Sequence, residues 1–453
     1  MAGVDTISGF DFSLAKLNEW FAPFDDADHI ALGVSGGGDS VAMMALAQRW
    51  QKGVADPKIT ILTVNHNLRA QAAQEAEQVG QWARALGFDH VVLAWVGKKP
   101  LKGLQAAARE ARYQLMLNWC VAHGVHHLGL AHNLEDQAET VVMRLARGSG
   151  LDGLAAMAPV SWRGGVALVR PLLGVSRAGL RTMLAKAGQS WLEDPSNQDH
   201  KFERVRVRKL LEELKGVGLD AEKMAVTARR LGRARIALDQ IAREAAQETV
   251  TLFEAGFCVL NLKAFLECPQ EIGLRVLKFC LVDIGGAQIA PQLERLEALY
   301  SNLQTSEFTA RTLSGCRLML KRDVVIIARE PGRSGLPEVQ VDPGTTLVWD
   351  RRFDVSLTSM ASRPMTVRAL GSEGRQNLKG NAVLRSLPAS IARILPSLWL
   401  DNDLLAVPHL DFYAKSSYVK HINMAYCASG NLGQPKDLTP DELQRCGIFT
   451  KLR

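Results

Sequence analysis

No Cys-x-x-Cys pair, no His–Cys cluster and no apolar run of eighteen residues occurs in this chain of 453 residues. The seven cysteines (120, 258, 268, 280, 316, 427 and 446) are odd in number and lack metal spacing. They predict reduced, mostly buried thiols of a cytosolic protein rather than a disulfide framework. Without a long apolar run, no membrane-spanning helix is expected. Met1 to Leu14 carries no basic stretch followed by an apolar one, so no secretory signal is expected and a cytoplasmic location is. Internal repeats and low-complexity tracts are also missing, and so is the G-x-x-x-x-G-K-[ST] loop of kinases and GTPases.

What is present is a mildly basic chain, 47% hydrophobic and 22% charged, with a formal net charge of +7. That profile fits a globular protein and raises the odds of a polyanionic partner without deciding it. The length predicts two or three domains. Short apolar runs at 29–34, 58–64, 90–96, 127–131 and 166–170 alternate with helical patterns at 41–50, 71–86, 104–123 and 134–145. Ser176 reads as an N-cap opening a further helix to about Ala187. Strands interleaved with helices predict an α/β domain with a doubly wound parallel sheet. A basic helix at Lys201–Lys215 closes a first domain at about 1–215. A mainly helical domain is expected over 216–330, with short strands at 308–312, 317–321 and 324–328. A Pro- and Gly-containing linker at Glu330–Pro337 leads to a small α/β domain at 340–453.

Ser35-Gly36-Gly37-Gly38-Asp39-Ser40 lies between a buried strand and a helix beginning near Val41. Backbone N–H groups at a helix N-terminus favour an anion, glycines let the backbone approach it, and the two serines add hydroxyl donors. Asp39 among phosphates would repel them unless Mg²⁺ lay between, so the loop implies a metal-bridged triphosphate. The bland reading is a ligand-free β–α turn, which leaves both serines and Asp39 without purpose. Ala131–Thr140 (AHNLEDQAET) and Val64–Arg69 (VNHNLR) follow other strands, at the ends where doubly wound sheets bind ligands. Arg109 and Arg112 are three apart on the helix between them and share a face.

The SGGxDS pattern after the first strand resembles the PP-loop ATPases. With His132–Glu139, the Arg147–Leu154 stretch, Arg170–Leu173 (RPLL) and Trp191–Asn197 (WLEDPSN), residues 28–210 resemble the tRNA(Ile)-lysidine synthetases of that group. Leu387–Pro396 (LPASIARILP) looks like the family's C-terminal element. The resemblance implies ATP, Mg²⁺, free lysine and the isoleucine tRNA with a CAU anticodon as cofactors and substrates, no membrane, and either a homodimer or a monomer. Ser35 to Ser40 would bind ATP, and Asp39 and Asp136 would hold the metal, with Glu139 in an outer role. Asp39, Arg112, His132 and Asp136 would be catalytic. Arg109, Arg204, Arg206 and Arg208 would face RNA, although 204, 208 and 211 share one helical face and Arg206 lies about opposite. Arg363–Lys379 is a second RNA candidate, since Gly371, Gly374 and Gly380 keep the backbone open there. Asn65, Glu135 and Val205 depart from the family's usual Asp, Asp and Asn. A tRNA thiolase of the same superfamily and a non-catalytic nucleotide- or RNA-binding module are the competing readings; the first calls for a reactive cysteine pair, and the second leaves Asp136 without a task.

Overall fold

The computed structural model describes residues 6–7, 10–53, 57–67, 71–97, 99–100, 103–193, 203–286, 290–359, 361, 363–414, 422–427 and 429–448. The chain divides into two compact units, Met1–Arg235 and Ile236–Arg453.

Unit 1 opens with a short hairpin, β1 (Thr6–Ile7) and β2 (Phe10–Asp11), then α1 (Leu14–Phe21) capped by the Ser13 hydroxyl. The expected alternation follows: β3 (His29–Gly33), α2 (Gly38–Gln51), β4 (Lys58–Asn65), α3 (Ala72–Ala85), β5 (Asp89–Ala94), α4 (Leu104–Ala122), β6 (His127–Leu130), α5 (Leu134–Leu145) and α6 (Leu151–Leu154). Strands β7 (Val160–Arg163) and β8 (Val166–Val169) precede α7 (Arg177–Lys186) and α8 (Glu203–Lys215). The sheet order is β5-β4-β3-β6-β8-β7. Five strands are parallel, as the alternation predicts, and β7 runs antiparallel to β8. This edge hairpin was not read from the sequence. Its turn is Gly164-Gly165 with φ of 57° and 78°, the left-handed pair that a two-residue hairpin turn requires.

Chain order reverses between β3 and β6, which places a crevice at their carboxyl ends. Helix α2, which starts at that crevice, is apolar almost all round, from Val41 to Ala47 and at Trp50. Such a helix must be covered on every side. Phe21, Phe24, Leu180 and Leu184 join it in one core with Ile30 and Leu32 of β3. Core packing along the body of α2 thus fixes its N-terminus at the crevice.

Helix α9 (Ala221–Thr249) begins in unit 1 and ends in unit 2. Unit 2 continues with β9 (Val250–Phe253), β10 (Phe257–Asn261), α10 (Leu262–Glu267), α11 (Gln270–Gly285), α12 (Leu293–Leu303), β11 (Ala310–Leu313), β12 (Cys316–Lys321) and β13 (Val324–Arg329). The hairpin β9–β10 interrupts the stretch whose spacing reads as helical, and completes a five-stranded antiparallel sheet in the order β11-β12-β13-β10-β9. Cys258, Leu260, Val325 and Ile327 bury one face with α11 and α12. Phe257, Val259, Ile326 and Ala328 bury the other with Leu370, Leu387, Ile391 and Leu395. The segments on either side of 330–337 therefore share a core. Beyond 338 the chain forms two further antiparallel sheets of five and three strands with short helices. Among the described residues, no helix is long and apolar enough to cross a membrane.

Two groups of unit 2, buried His409 and half-buried Asp283, titrate in opposition. His409 lies edge-on to Phe353, with ring centroids 5.5 Å apart, and burial pushes its pKa down from 6.5 to about 4. The unfolded chain takes up that proton first, so the stability His409 contributes is whole above pH 6.5 and lost as pH falls to 4, roughly 3 kcal/mol. Burial pushes Asp283 up from 3.8 to about 6 against a hydrogen bond from Ser429. Its contribution is present below 3.8 and lost as pH rises through 6, so the two offset each other in the unaltered protein. Comparison with His409→Gln separates them. The variant should lose its stability deficit progressively between pH 7 and pH 4 in denaturant titrations; a deficit that stays constant with pH would contradict this assignment.

Candidate nucleotide site

The strand β3 delivers Ser35 to Ser40 to the crevice, and the loop is braced from within. Ser40 donates its hydroxyl to the Gly37 carbonyl at 2.8 Å and accepts the Ser35 N–H at 3.2 Å. This hydroxyl thereby braces the turn. Ser35 is exposed, and its Oγ lies 3.3 Å from the Ser40 Oγ. Gly36 has φ of +88°, and a Cβ there would lie 2.6 Å from the Leu192 Cδ1. Leu192 donates its N–H to the Gly36 carbonyl at 2.9 Å, and Trp191 packs over Gly38. The first residues of the WLEDPSN motif thereby close on the loop; Asp194–Asn197 lie outside the described residues, as do Leu68 and Arg69. Helix α2 has Gly37 as its N-cap with no side-chain cap, so its leading N–H groups are left for an anion.

Across the crevice, β6 leads into α5 through a capping box. Asn133 accepts the Asp136 N–H at 2.9 Å, and the Asn133 N–H donates to Asp136 Oδ2 at 3.1 Å. One Asp136 oxygen is thus fixed and the other, Oδ1, faces the site. Arg177 meets it there: Nη2 is 3.6 Å from Asp136 Oδ1 and 3.9 Å from Glu139 Oε1, and Nε is 3.4 Å from Asp39 Oδ2. Burial raises the Asp39 pKa; Arg177 opposes this and Asp136 adds to it. Burial also raises Glu139, against its hydrogen bond from Arg208 Nε at 2.6 Å. Asp39 Oδ1 and Glu139 Oε2 are buried without a hydrogen-bond partner.

His132 is buried beside a group of cations. Burial holds its pKa well below 6.5, and Arg170, Arg109, Arg112 and Arg204 add to the effect. Its ring is therefore neutral at physiological pH. Arg109 and Arg112 stack on Tyr113 with guanidinium carbons 5.3 Å and 5.7 Å from the ring centre. Among the described residues no carboxylate pairs with Arg109, Arg112 or Arg170. Arg112 Nε, Arg170 Nε and His132 Nδ1 are buried and unpartnered. Buried polar groups in want of acceptors fit an anionic ligand.

The sequence-predicted residues Asp39, Asp136, Glu139, Arg112 and His132 all sit around this crevice. Arg204 approaches Asp136 at 4.0 Å and Arg208 is committed to Glu139, while Leu211 on the same face is buried. Arg206, on the opposite side of α8, is exposed. Asn65 accepts the Asn67 N–H at 2.8 Å, within its own turn. Glu135 accepts the Arg177 N–H at 2.9 Å. Sequence reasoning missed Arg177. The available signal was its position just after the N-cap Ser176, where a cation opposes the helix dipole. In unit 2, Gly374 proves to be a packing glycine, where a Cβ would stand 2.4 Å from Leu370 Cδ1.

A glycine loop at a helix N-terminus, facing carboxylates across the switch point of a parallel sheet, defines a nucleotide-binding enzyme of the PP-loop class; residues 12–214 match the PP-loop domain family. The chain is similar to a tRNA(Ile)-lysidine synthase of Ruegeria pomeroyi, 37% identical over 84% of this chain and 88% of that one. Proteins of that name from a Bradyrhizobium species and Wolbachia pipientis are 40% and 32% identical over 71% and 86% of this chain, and over 95% and 90% of their own. The chain belongs to the tRNA(Ile)-lysidine synthase family. A thiolase reading is not favoured, since these relatives carry the lysidine synthase name; burial also pushes the Cys120 and Cys316 thiols up to about 12, away from the reactive thiolate.

Proposed function

We propose that the chain joins lysine to C2 of the wobble cytidine in the isoleucine tRNA that bears a CAU anticodon. The cytidine O2 attacks the α-phosphorus of ATP and pyrophosphate leaves. The lysine ε-amine then attacks C2, the C2–O bond breaks, AMP departs with the oxygen, and the amine loses a proton. The observation that carries this reading is the convergence of the glycine loop, Asp39 and Asp136 at the ends of β3 and β6 in a chain of this family.

Each residue then has a task. The N–H groups at the start of α2 and the Ser35 hydroxyl hold the pyrophosphate. Asp39 and Asp136 supply hard carboxylate oxygens, one of them unpartnered, that suit Mg²⁺; bound there with the triphosphate, the ion would neutralise charge on the leaving group. Arg112 and neutral His132 face the phosphate or the adenylated base as hydrogen-bonding groups. A base oxygen is a weak nucleophile, so positioning and electrostatics must supply most of the acceleration. Exposed Arg109 and Arg206 are the RNA-facing candidates of unit 1, and Arg204 and Arg208 shape the carboxylate side. In unit 2, Arg375, Lys379, Arg385 and Arg393 line one depression and are our candidates for phosphate contact. We place the reaction in the cytoplasm.

Incubation with ATP, Mg²⁺, lysine and the CAU-bearing tRNA should yield an anticodon nucleoside heavier by one lysine less water, read by mass spectrometry. Omission of lysine should stop the reaction at the adenylated tRNA. ATP turnover at the same rate without RNA would overturn the proposal.

A further inference from the structure

Arg177 stands where three carboxylates converge. Asp39, Asp136 and Glu139 come from two different helices and crowd an interior in which isolated charge is costly. Its guanidinium lies within 4 Å of all three, and its backbone N–H is held separately by Glu135. Arg208 Nε reaches the same Glu139 oxygen, Oε1, at 2.6 Å and gives that carboxylate a second cation. No such partner serves Asp39, whose remaining oxygen is buried and bare.

We propose that Arg177 is an internal counter-cation that holds the Asp39–Asp136 pair in the nucleotide-free protein and gives it up when nucleotide and divalent metal enter together. The inference rests on the metal role given above to those two carboxylates. A divalent ion held between Asp39 and Asp136 would lie close to the guanidinium already on Asp39 Oδ2 and Asp136 Oδ1, and their like charges repel at such distances. Metal alone must displace Arg177 from two carboxylates and leave it only Glu139, which Arg208 already serves. The triphosphate provides new acceptors, to which a planar fork of N–H donors is well matched. Arg177 thereby makes metal binding depend on nucleotide and keeps the carboxylates from holding a stray cation. It acts as a positioning residue, through the carboxylates.

The test is Mn²⁺ binding to the full chain, followed by electron paramagnetic resonance, with and without ATP. Unaltered protein should bind Mn²⁺ weakly alone and tightly with ATP. Arg177→Gln should bind Mn²⁺ alone about ten- to a hundredfold more tightly, with a smaller gain on adding ATP. Added Mg²⁺ alone should raise the thermal midpoint of Arg177→Gln and leave that of the unaltered protein in place. Arg177→Lys, which keeps the charge, should behave like the unaltered protein in the nucleotide-free titration. Equal nucleotide-free Mn²⁺ affinity in Arg177→Gln and unaltered protein would overturn the inference. Failure of the unaltered protein to bind Mn²⁺ even with ATP would instead remove the metal role of Asp39 and Asp136.

Discussion

Asp39→Ala is expected to slow tRNA modification by about 10²–10³-fold, the usual cost of losing one preorganised electrostatic group. Protein stability should not fall with it. Burial raises the Asp39 pKa despite Arg177 beside it, so the folded environment disfavours this charge. A group that destabilises the fold yet persists at a ligand site marks a trade of stability for function. The thermal midpoint of the variant should therefore equal or exceed that of the unaltered protein. Asp39→Asn preserves shape and removes the charge, so it should lose rate to a similar degree. Pyrophosphate release under saturating tRNA checks both variants. Near-normal rates in either would remove the metal-bridging role of Asp39.

The loop itself should be as sensitive to a side chain as the site is to a lost charge. Gly36→Val must hold a β-branched residue at φ +88° and drive its Cβ into Leu192 and Val79, 2.6 Å and 3.1 Å away. Left-handed strain and overpacking together should cost about 2–4 kcal/mol. The damage is directed: Leu192 is tied to the Gly36 carbonyl, so the loop and the Trp191–Leu192 segment must separate. ATP affinity should fall at least about tenfold, since phosphate-binding N–H groups move with the loop. Gly87→Ala is the control. It has a similar φ of +86° with nothing within 4 Å, so it should show backbone strain alone, about 1 kcal/mol, with ATP affinity unchanged. Isothermal titration with a non-hydrolysable ATP analogue distinguishes the two. Equal losses of affinity in both variants would show that the Gly36 loop has no special bearing on the nucleotide.

Much of the first unit could be read directly. The runs at 29–34 and 58–64 are buried strands because both faces of a parallel sheet are covered, and such strands read as continuous apolar stretches. The loop glycines, Asp39 and Asp136 stood out because they follow those strands. The β9–β10 hairpin did not stand out: its residues are buried on both faces, so they show neither strand alternation nor a turn richer than Ala255-Gly256. Short apolar runs between helices are ambiguous on periodicity alone. Gly371 to Gly380 shows a related limit, for a glycine that opens a backbone to ligand and one that admits Trp399 and Leu370 are the same letter.

The sequence by itself determined the α/β class, the glycine loop after β3, the family and the residues on each side of the crevice, because each is encoded within a few neighbouring positions. Tertiary structure decided how those residues divide their work. Ser40 turns inward to brace the loop, Arg208 is bound to Glu139, and Arg177 comes from 138 positions beyond Asp39 to sit among three carboxylates. Such pairings depend on which charges are buried together, and burial is a property of the packed chain rather than of any local stretch.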